Sequence, residues 1–188
     1  HLPLDGTTVV DLTRVLAGPV CTQTLGDLGA RVIKVEQPGV GDDSRAIGPF
    51  VDDASAYFMS VNRNKESIAL DLKTMEDRAI FERLLERADV LVENYRPGTM
   101  EKLGYSWAIL KDRFPRLILV SISGFGQTGP YRSQPAYDMV VQAMSGMMSV
   151  TGHPDTGPCR VGVSIGDLGA GLYAVIGTQS ALLRRART

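Results

Sequence analysis

The sequence predicts an α/β protein built on a parallel sheet flanked by helices. Three observations predict it. The first thirty-six residues read strand, helix, strand. Short β-branched and apolar segments then alternate with amphipathic ones along the chain. The stretch Leu117–Ser123 is apolar almost throughout, as in a strand covered on both faces.

Thr8–Leu12 is β-branched and apolar and reads as the first strand. Gly18-Pro19 opens a helix that runs through Leu28 and is closed by Gly29. Proline in the first turn and glycine just past the end is the expected asymmetry. Arg31–Glu36 is the second strand, completing a βαβ unit. A dinucleotide-binding unit would carry Gly-x-Gly-x-x-Gly after its first strand and an acidic residue at the end of its second. Glu36 fits, but the turn Thr13-Arg14-Val15-Leu16-Ala17-Gly18-Pro19 has one glycine and offers pyrophosphate no cradle. NAD or FAD is therefore not expected, and Glu36 is read as a polar strand end.

Residues 37–50 form a loop, broken by Pro38, Gly39, Gly41, Gly48 and Pro49. Ser67–Leu72 alternates as a strand does. Thr74 with Asp77 resembles a capping box with Asp in place of Glu. The helix it opens reaches about Ala88, with Ile80, Phe81, Leu84 and Leu85 on one face. Asp89–Asn94 is a further buried strand, Pro97-Gly98 turns into short helical pieces through Phe114, and Leu117–Ser123 is the next strand. The glycine- and proline-rich run Ser123–Pro135 follows a strand's carboxyl end, where open α/β sheets place ligands. Ala136–Met148 reads as a helix whose Met139, Met144, Met147 and Met148 are adaptable core packing. Residues 151–158 are a loop. Val161–Ala174, V-G-V-S-I-G-D-L-G-A-G-L-Y-A, leads into a last helix with the apolar stripe Leu168, Leu172, Val175, Ile176 and Leu183. Five glycines between Gly162 and Gly177 predict close packing of that helix on a neighbour.

Composition narrows the function classes. The 188 residues are 44% hydrophobic and 22% charged, with a formal net charge of −1. That is ordinary globular composition for about one domain. It shows no basic footprint for nucleic acid, no bilayer-spanning run and no signal-like start, so neither nucleic acid nor membrane is an expected partner and a cytoplasmic location is. Cys21 and Cys159 lack metal-ligand spacing and read as reduced, buried small residues. The start at His1 and the basic end Arg184-Arg185-Ala186-Arg187-Thr188 suggest a fragment.

Much catalytic chemistry is missing. Histidine occurs only at His1 and His153, there is no G-x-S-x-G elbow, and there is neither a P-loop nor a Cys/His set for zinc. Carboxylates remain: Asp138 in P-A-Y-D and Asp167 in G-D-L-G-A-G. Arg14, Arg63, Lys65, Lys73, Arg96 and Lys102 are candidate anion holders, though each taken singly is more often a solvated surface charge. Asp167 has two readings on these residues alone. It is a helix N-cap, or a carboxylate among glycines and helix N–H groups that can stabilise an anionic ligand or intermediate.

A set of motifs in order goes further: P-L-D-G at Pro3, L-T-R-V-L-A-G-P at Leu12, G-D-L-G-A-R-V-I-K-V-E at Gly26, G-x-G-D-D at Gly39 and N-R-N-K at Asn62. V-E-N-Y-R-P-G at Val92, G-F-G-Q-T-G-P at Gly124, P-A-Y-D at Pro135 and G-D-L-G-A-G at Gly166 continue it. In these the chain resembles the class III CoA-transferases and the related α-methylacyl-CoA racemases, from Pro3 to its end. The nearest likeness is to members that use short dicarboxylates such as oxalate or glutarate. The resemblance implies that residues 1–188 are the Rossmann-like, amino-terminal part of a large CoA-binding domain. A smaller second domain would follow beyond residue 188, and two chains would interlock as a homodimer.

The resemblance also assigns residues. Asp167 is the nucleophile that forms an acyl anhydride and then an aspartyl-CoA thioester. Val15 and Leu16 line the approach of CoA, and Gln37 replaces a family arginine there. Leu70, Asp71, Leu72 and Lys73, with Asn94, Tyr95 and Arg96, meet adenine and pantetheine. Lys102 stands where a family arginine meets CoA phosphate, keeping the charge without the fork geometry. Tyr57, Tyr137, Asp138, Gly166 and Gly169 form the substrate pocket. Coenzyme A enters as acyl-CoA substrate, a carboxylic acid is the acceptor, and neither metal nor NAD is implied. The racemases carry a histidine where Tyr137 stands. With a reference pKa near 10, tyrosine is a poor base near neutrality, which favours transfer over racemisation. A racemase and a non-catalytic CoA-binding module are the alternatives.

Overall fold

A computed structural model describes all residues from His1 to Thr188. β1 (Thr8–Asp11), α1 (Ala17–Asp27) and β2 (Arg31–Glu36) form the predicted βαβ unit, with Val9 beside Val32 and Val10 beside Ile33 in parallel register. The segment read as a loop carries small ordered pieces: a 3-10 turn at Asp43–Ala46 and the hairpin β3 (Phe50–Val51) and β4 (Ala54–Ser55). Asp42 starts the turn by accepting the Ser44 N–H at 2.9 Å, a local bond that short side chains favour in turns. α2 (Ala56–Ser60) follows.

β5 (Lys65–Ala69) lies parallel to β2 and ends earlier than the alternation suggests. The reason is that Leu70 and Leu72 leave the sheet and turn into the core. α3 (Met75–Leu85) is capped by Thr74, whose hydroxyl accepts the Asp77 N–H at 3.3 Å. The capping box is not reciprocal: the Asp77 carboxylate takes the Asp71 N–H at 2.7 Å, and the Thr74 N–H goes to the Asp71 carbonyl. Then come β6 (Val90–Glu93), α4 (Thr99–Lys102), α5 (Trp107–Arg113), β7 (Ile118–Ser121), α6 (Asp138–Met144), a 3-10 turn at Met147–Val150 and α7 (Ile165–Arg185). The helix expected over 136–148 stops at Met144 because Gly146 takes φ +80°.

The sheet is parallel throughout, in the order β5-β2-β1-β6-β7. Strand order reverses between β1 and β6, and open α/β sheets bind ligands at that crevice. Successive strand residues face opposite sides. Val10 and Leu91 pack with Phe81, Tyr105 and Leu110 under α3 and α5, while Val9 and Val90 pack with Cys21, Leu25 and Val175 under α1 and α7. Each fully buried side chain of this size contributes roughly 1.5–3 kcal/mol. β7 is only half-buried because it is the edge strand.

Gly171 seats α7 on α1: a Cβ there would lie 2.7 Å from the Ala17 carbonyl oxygen. Gly162, Gly169 and Gly177 have open space instead, so of the five only Gly166 and Gly171 pack closely on neighbouring helices. The ridge that meets the fold is Gly171, Val175 and Thr178, which turns Leu172, Ile176 and Leu183 outward. The methionine expectation also fails. α6 buries Asp138 and Gln142, leaving Met139 and Met144 exposed. Cys21 is buried as expected, but Cys159 sits exposed on the loop before α7.

Candidate active site

Four charges with almost no solvent contact tie the end of β1 to the middle of β2, the start of β5 and the segment after β2. Asp11 pairs with Lys65 at 3.1 Å and accepts the hydroxyls of Thr13 at 2.5 Å and Thr22 at 2.7 Å. Lys34 reaches Asp42 at 2.8 Å and the Thr13 carbonyl at 2.7 Å. Burial would raise the Asp11 and Asp42 carboxyls, but the facing lysines, helped by hydrogen bonds, hold both below the ordinary range. Glu36 is committed to the same construction. Burial opposes its charge, yet hydrogen bonds from Arg45, Ser67 and the Asp42 N–H bring it down to about 2.

This network shapes the turn after β1. Asp42 accepts the Val15 N–H at 3.0 Å, and Val15 takes φ 68°, a conformation that β-branched residues avoid. Asn94, just past β6, grips the same turn from the other side. Its side chain accepts the Arg14 N–H at 2.9 Å and donates to the Arg14 carbonyl at 2.8 Å. Strain held this way from two sides is typical of functional turns.

Between the two turns lies a cleft of about 240 Å³, bounded by Val15, Leu16, Asn94, Tyr95, Arg96, Tyr137 and Asp167. An adjoining hollow of about 230 Å³ brings in Val141, Gly166 and Ala170. The chain's larger cavity, about 440 Å³ between Glu93, Trp107 and Gln127, touches Arg96 but not Asp167. The smaller cleft is the candidate site because Asp167 lines it.

Asp167 is not a cap. Ser164 occupies the N-cap position of α7 without a side-chain bond, and Asp167 is the third helical residue. At the start of α7 the Gly166 N–H goes to Asp138 and the Leu168 N–H to the Ser164 carbonyl, and neither bond uses the Asp167 side chain. Burial, then the nearby Asp138 charge, pushes the Asp167 carboxyl above its ordinary value. Burial and the charges of Asp167 and Asp42 push the Tyr57 phenol up in turn, although Tyr57 does not line the cleft.

Other sequence-predicted residues lie outside the cleft. Gln37, Lys73 and Lys102 are exposed around the carboxyl edge of the sheet. Leu70 and Leu72 put their side chains in the core and offer a ligand only backbone, with Asp71 between them half-buried. Gly169 faces open space. Among the basic candidates, Arg63 is paired with Asp27, Lys65 with Asp11, and Arg14 with Asp43. Arg96 forms no ion pair and faces the cleft, as does Arg132 of the glycine-rich loop, which sequence reasoning missed. Only that loop's position after β7 could have pointed to it. No three His, Cys, Asp or Glu side chains converge where a metal ion could sit.

Residues 4–188 match the CoA-transferase family III. The chain belongs to that family. It is 56% identical over 187 residues to an acetyl-CoA:oxalate CoA-transferase of Acetobacter aceti, covering 99% of this chain and 48% of that protein. It is 49% identical to a succinyl-CoA:glutarate CoA-transferase of Mus musculus, covering 99% and 43%. Among solved structures, a CAIB/BAIF family protein from Brucella suis superposes with a TM-score of 0.94 at 49% identity, over 99% of this chain and 50% of that one. This family III chain thus spans about half the length of the curated relatives it matches.

Proposed function

We propose that the protein carrying this chain is an acyl-CoA:carboxylate CoA-transferase with Asp167 as covalent nucleophile and a short dicarboxylic acid as acceptor. One observation carries the reading: a half-buried carboxylate, raised in pKa and outside the α7 capping bonds, faces a cleft at the point where strand order reverses. An Asp167 oxygen attacks the thioester carbonyl, forming a mixed anhydride as the carbon–sulfur bond breaks and CoA thiolate leaves. The thiolate attacks the Asp167 carbonyl, giving an aspartyl-CoA thioester and the first free acid. The acceptor carboxylate attacks that thioester and expels the thiolate, which returns to the acceptor's own carbonyl and frees Asp167. The partial positive charge at the amino end of α7 stabilises the tetrahedral oxyanions.

CoA spreads over the carboxyl edge, with Lys102 and Arg96 at its phosphates, Gln37, Asp71 and Lys73 toward the adenine, and Asn94, Tyr95, Val15 and Leu16 along the pantetheine. Tyr57 and Tyr137 flank the carboxylate. Arg132 supplies a positive charge for an acid with a second carboxylate. The relatives named for oxalate and glutarate support a dicarboxylate acceptor. We place residues 1–188 in the large domain of an interlocked cytoplasmic homodimer with a smaller second domain. No helix of the chain is long and apolar enough to cross a membrane.

The test is a transfer assay in deuterated buffer. The full-length protein is given succinyl-CoA or acetyl-CoA with oxalate or glutarate, and acyl-CoA products are read by mass. We expect a new acyl-CoA without α-deuterium, and at least a ~10³-fold loss of rate in Asp167→Asn. Deuterium at the α-carbon without transfer would replace this reading with a racemase. CoA binding without turnover, indifferent to Asp167→Ala, would leave a non-catalytic module.

A further inference from the structure

We propose that Gln142, with Asp138, is a positioning residue that clamps the segment before α7 and thereby sets where Asp167 meets the thioester. The proposal rests on the reading of Asp167 as nucleophile.

Gln142 has no solvent exposure, and a buried amide must satisfy both its ends. It spends them on this segment. Its Oε1 accepts the Val161 N–H at 2.8 Å, and its Nε2 donates to Asp138 Oδ2 at 2.6 Å and to the Val163 carbonyl at 3.4 Å. Asp138 stands one helical turn earlier on α6, and its Oδ1 accepts the Gly166 N–H at 2.7 Å. One face of α6 therefore takes three backbone groups from six consecutive residues. The orientation of the amide follows from its partners. Turned over, it would set an oxygen against the carboxylate and an NH₂ against an N–H.

The clamp does the work a cap would do. Ser164 gives α7 no side-chain bond, so the helix start is fixed from α6 instead. Tyr137 and Val141 line the hollow beside Asp167 while Asp138 and Gln142 do not, so the pair acts on backbone rather than on substrate. The clamp also explains the glycine before the nucleophile. A Cβ on Gly166 would lie 3.0 Å from Asp138 Oδ1 and 3.5 Å from Val141 Cγ1, prying the N–H away from its acceptor. Gly166 adjoins Asp167, so any shift passes directly to the carboxylate, and misplacement by 1 Å can cost about 10²-fold in rate.

The experiment uses three variants of the full-length protein. Gln142→Leu removes both arms. Gln142→Glu keeps the acceptor for Val161 but sets a carboxylate against Asp138. Gly166→Ala leaves both clamp residues in place, adds helix propensity, and so keeps the test open if a Gln142 variant does not fold. Steady-state rates with acyl-CoA are read beside the rate of adduct formation on Asp167 and the hydrogen exchange of the Val161 and Gly166 amides. We expect kcat and adduct formation to fall about 10- to 100-fold, KM for acyl-CoA to stay within about twofold, and the two amides to exchange faster. Faster exchange with unchanged kcat would overturn the proposal, as would a rise in KM that accounts for the whole loss. A wild-type protein that forms no Asp167 adduct would overturn the nucleophile reading instead, which separates the two failures.

Discussion

At the scale of residues, the cleft depends on where two carboxylates sit. Burial, and then Asp138, raise the Asp167 carboxyl, and a more basic oxygen is a better nucleophile provided it is still ionised. The sign of the coupling gives a prediction. Asp138→Asn removes the like charge, so the Asp167 pKa falls and the acid limb of kcat/KM moves to lower pH, even as the rate at the optimum drops. A pH–rate profile of both proteins checks this, and an unmoved limb would mean that Asp167 does not set it. Asp167 was legible because its glycine setting and order in the motif series are local. Gln142 and Asp42 were not, since their partners at Val161 and Val15 are distant in sequence and no spacing announces them. Asp167 at the third helical position also shows how a capping pattern misleads when a neighbouring helix supplies the bond.

At the scale of elements, the contact of α7 with α1 fixes the helix that carries Asp167 against the sheet. Gly171→Ala places a Cβ 2.7 Å from the Ala17 carbonyl oxygen, which neither backbone can yield cheaply. We expect a loss of about 1–3 kcal/mol, read as a lower Tm. Gly169→Ala, with nothing within 4 Å, should instead gain about 0.5–1 kcal/mol and raise Tm. Thermal unfolding of the pair decides whether packing on α1 rests on Gly171, as the geometry has it, or is shared with Gly169. The order of elements was readable because strand and helix periods differ. The outward turn of Leu172, Ile176 and Leu183 was not, because a hydrophobic stripe does not say which of two faces a close-packing glycine will choose.

At the scale of the whole molecule, the charge network joins β1, β2 and β5 and holds the turn after β1 that borders the cleft. Breaking it from one side leaves a buried charge alone, so Asp42→Ala should cost about 3–5 kcal/mol of stability through Lys34. Glu36 adds to the network's pH dependence, beside Asp11 and Asp42. Its carboxyl is held down to about 2 against an ordinary 4.5, so its contribution is complete above about 4.5 and is lost as pH falls from there toward 2. Acid unfolding should be less steep across that window in Glu36→Gln, and denaturant midpoints at stepped pH measure it. The parallel sheet was readable from its strands, but the reversal between β1 and β6, which makes the cleft, exists only in the assembled sheet. We propose that Asp167 becomes acylated and then thioesterified. This is tested most directly by incubating the full-length protein with succinyl-CoA, trapping with hydroxylamine or borohydride, and reading the mass of the peptide that contains Asp167. We expect a modification at Asp167 that disappears in Asp167→Asn; an unmodified peptide from a protein that still binds CoA would rule out the covalent mechanism.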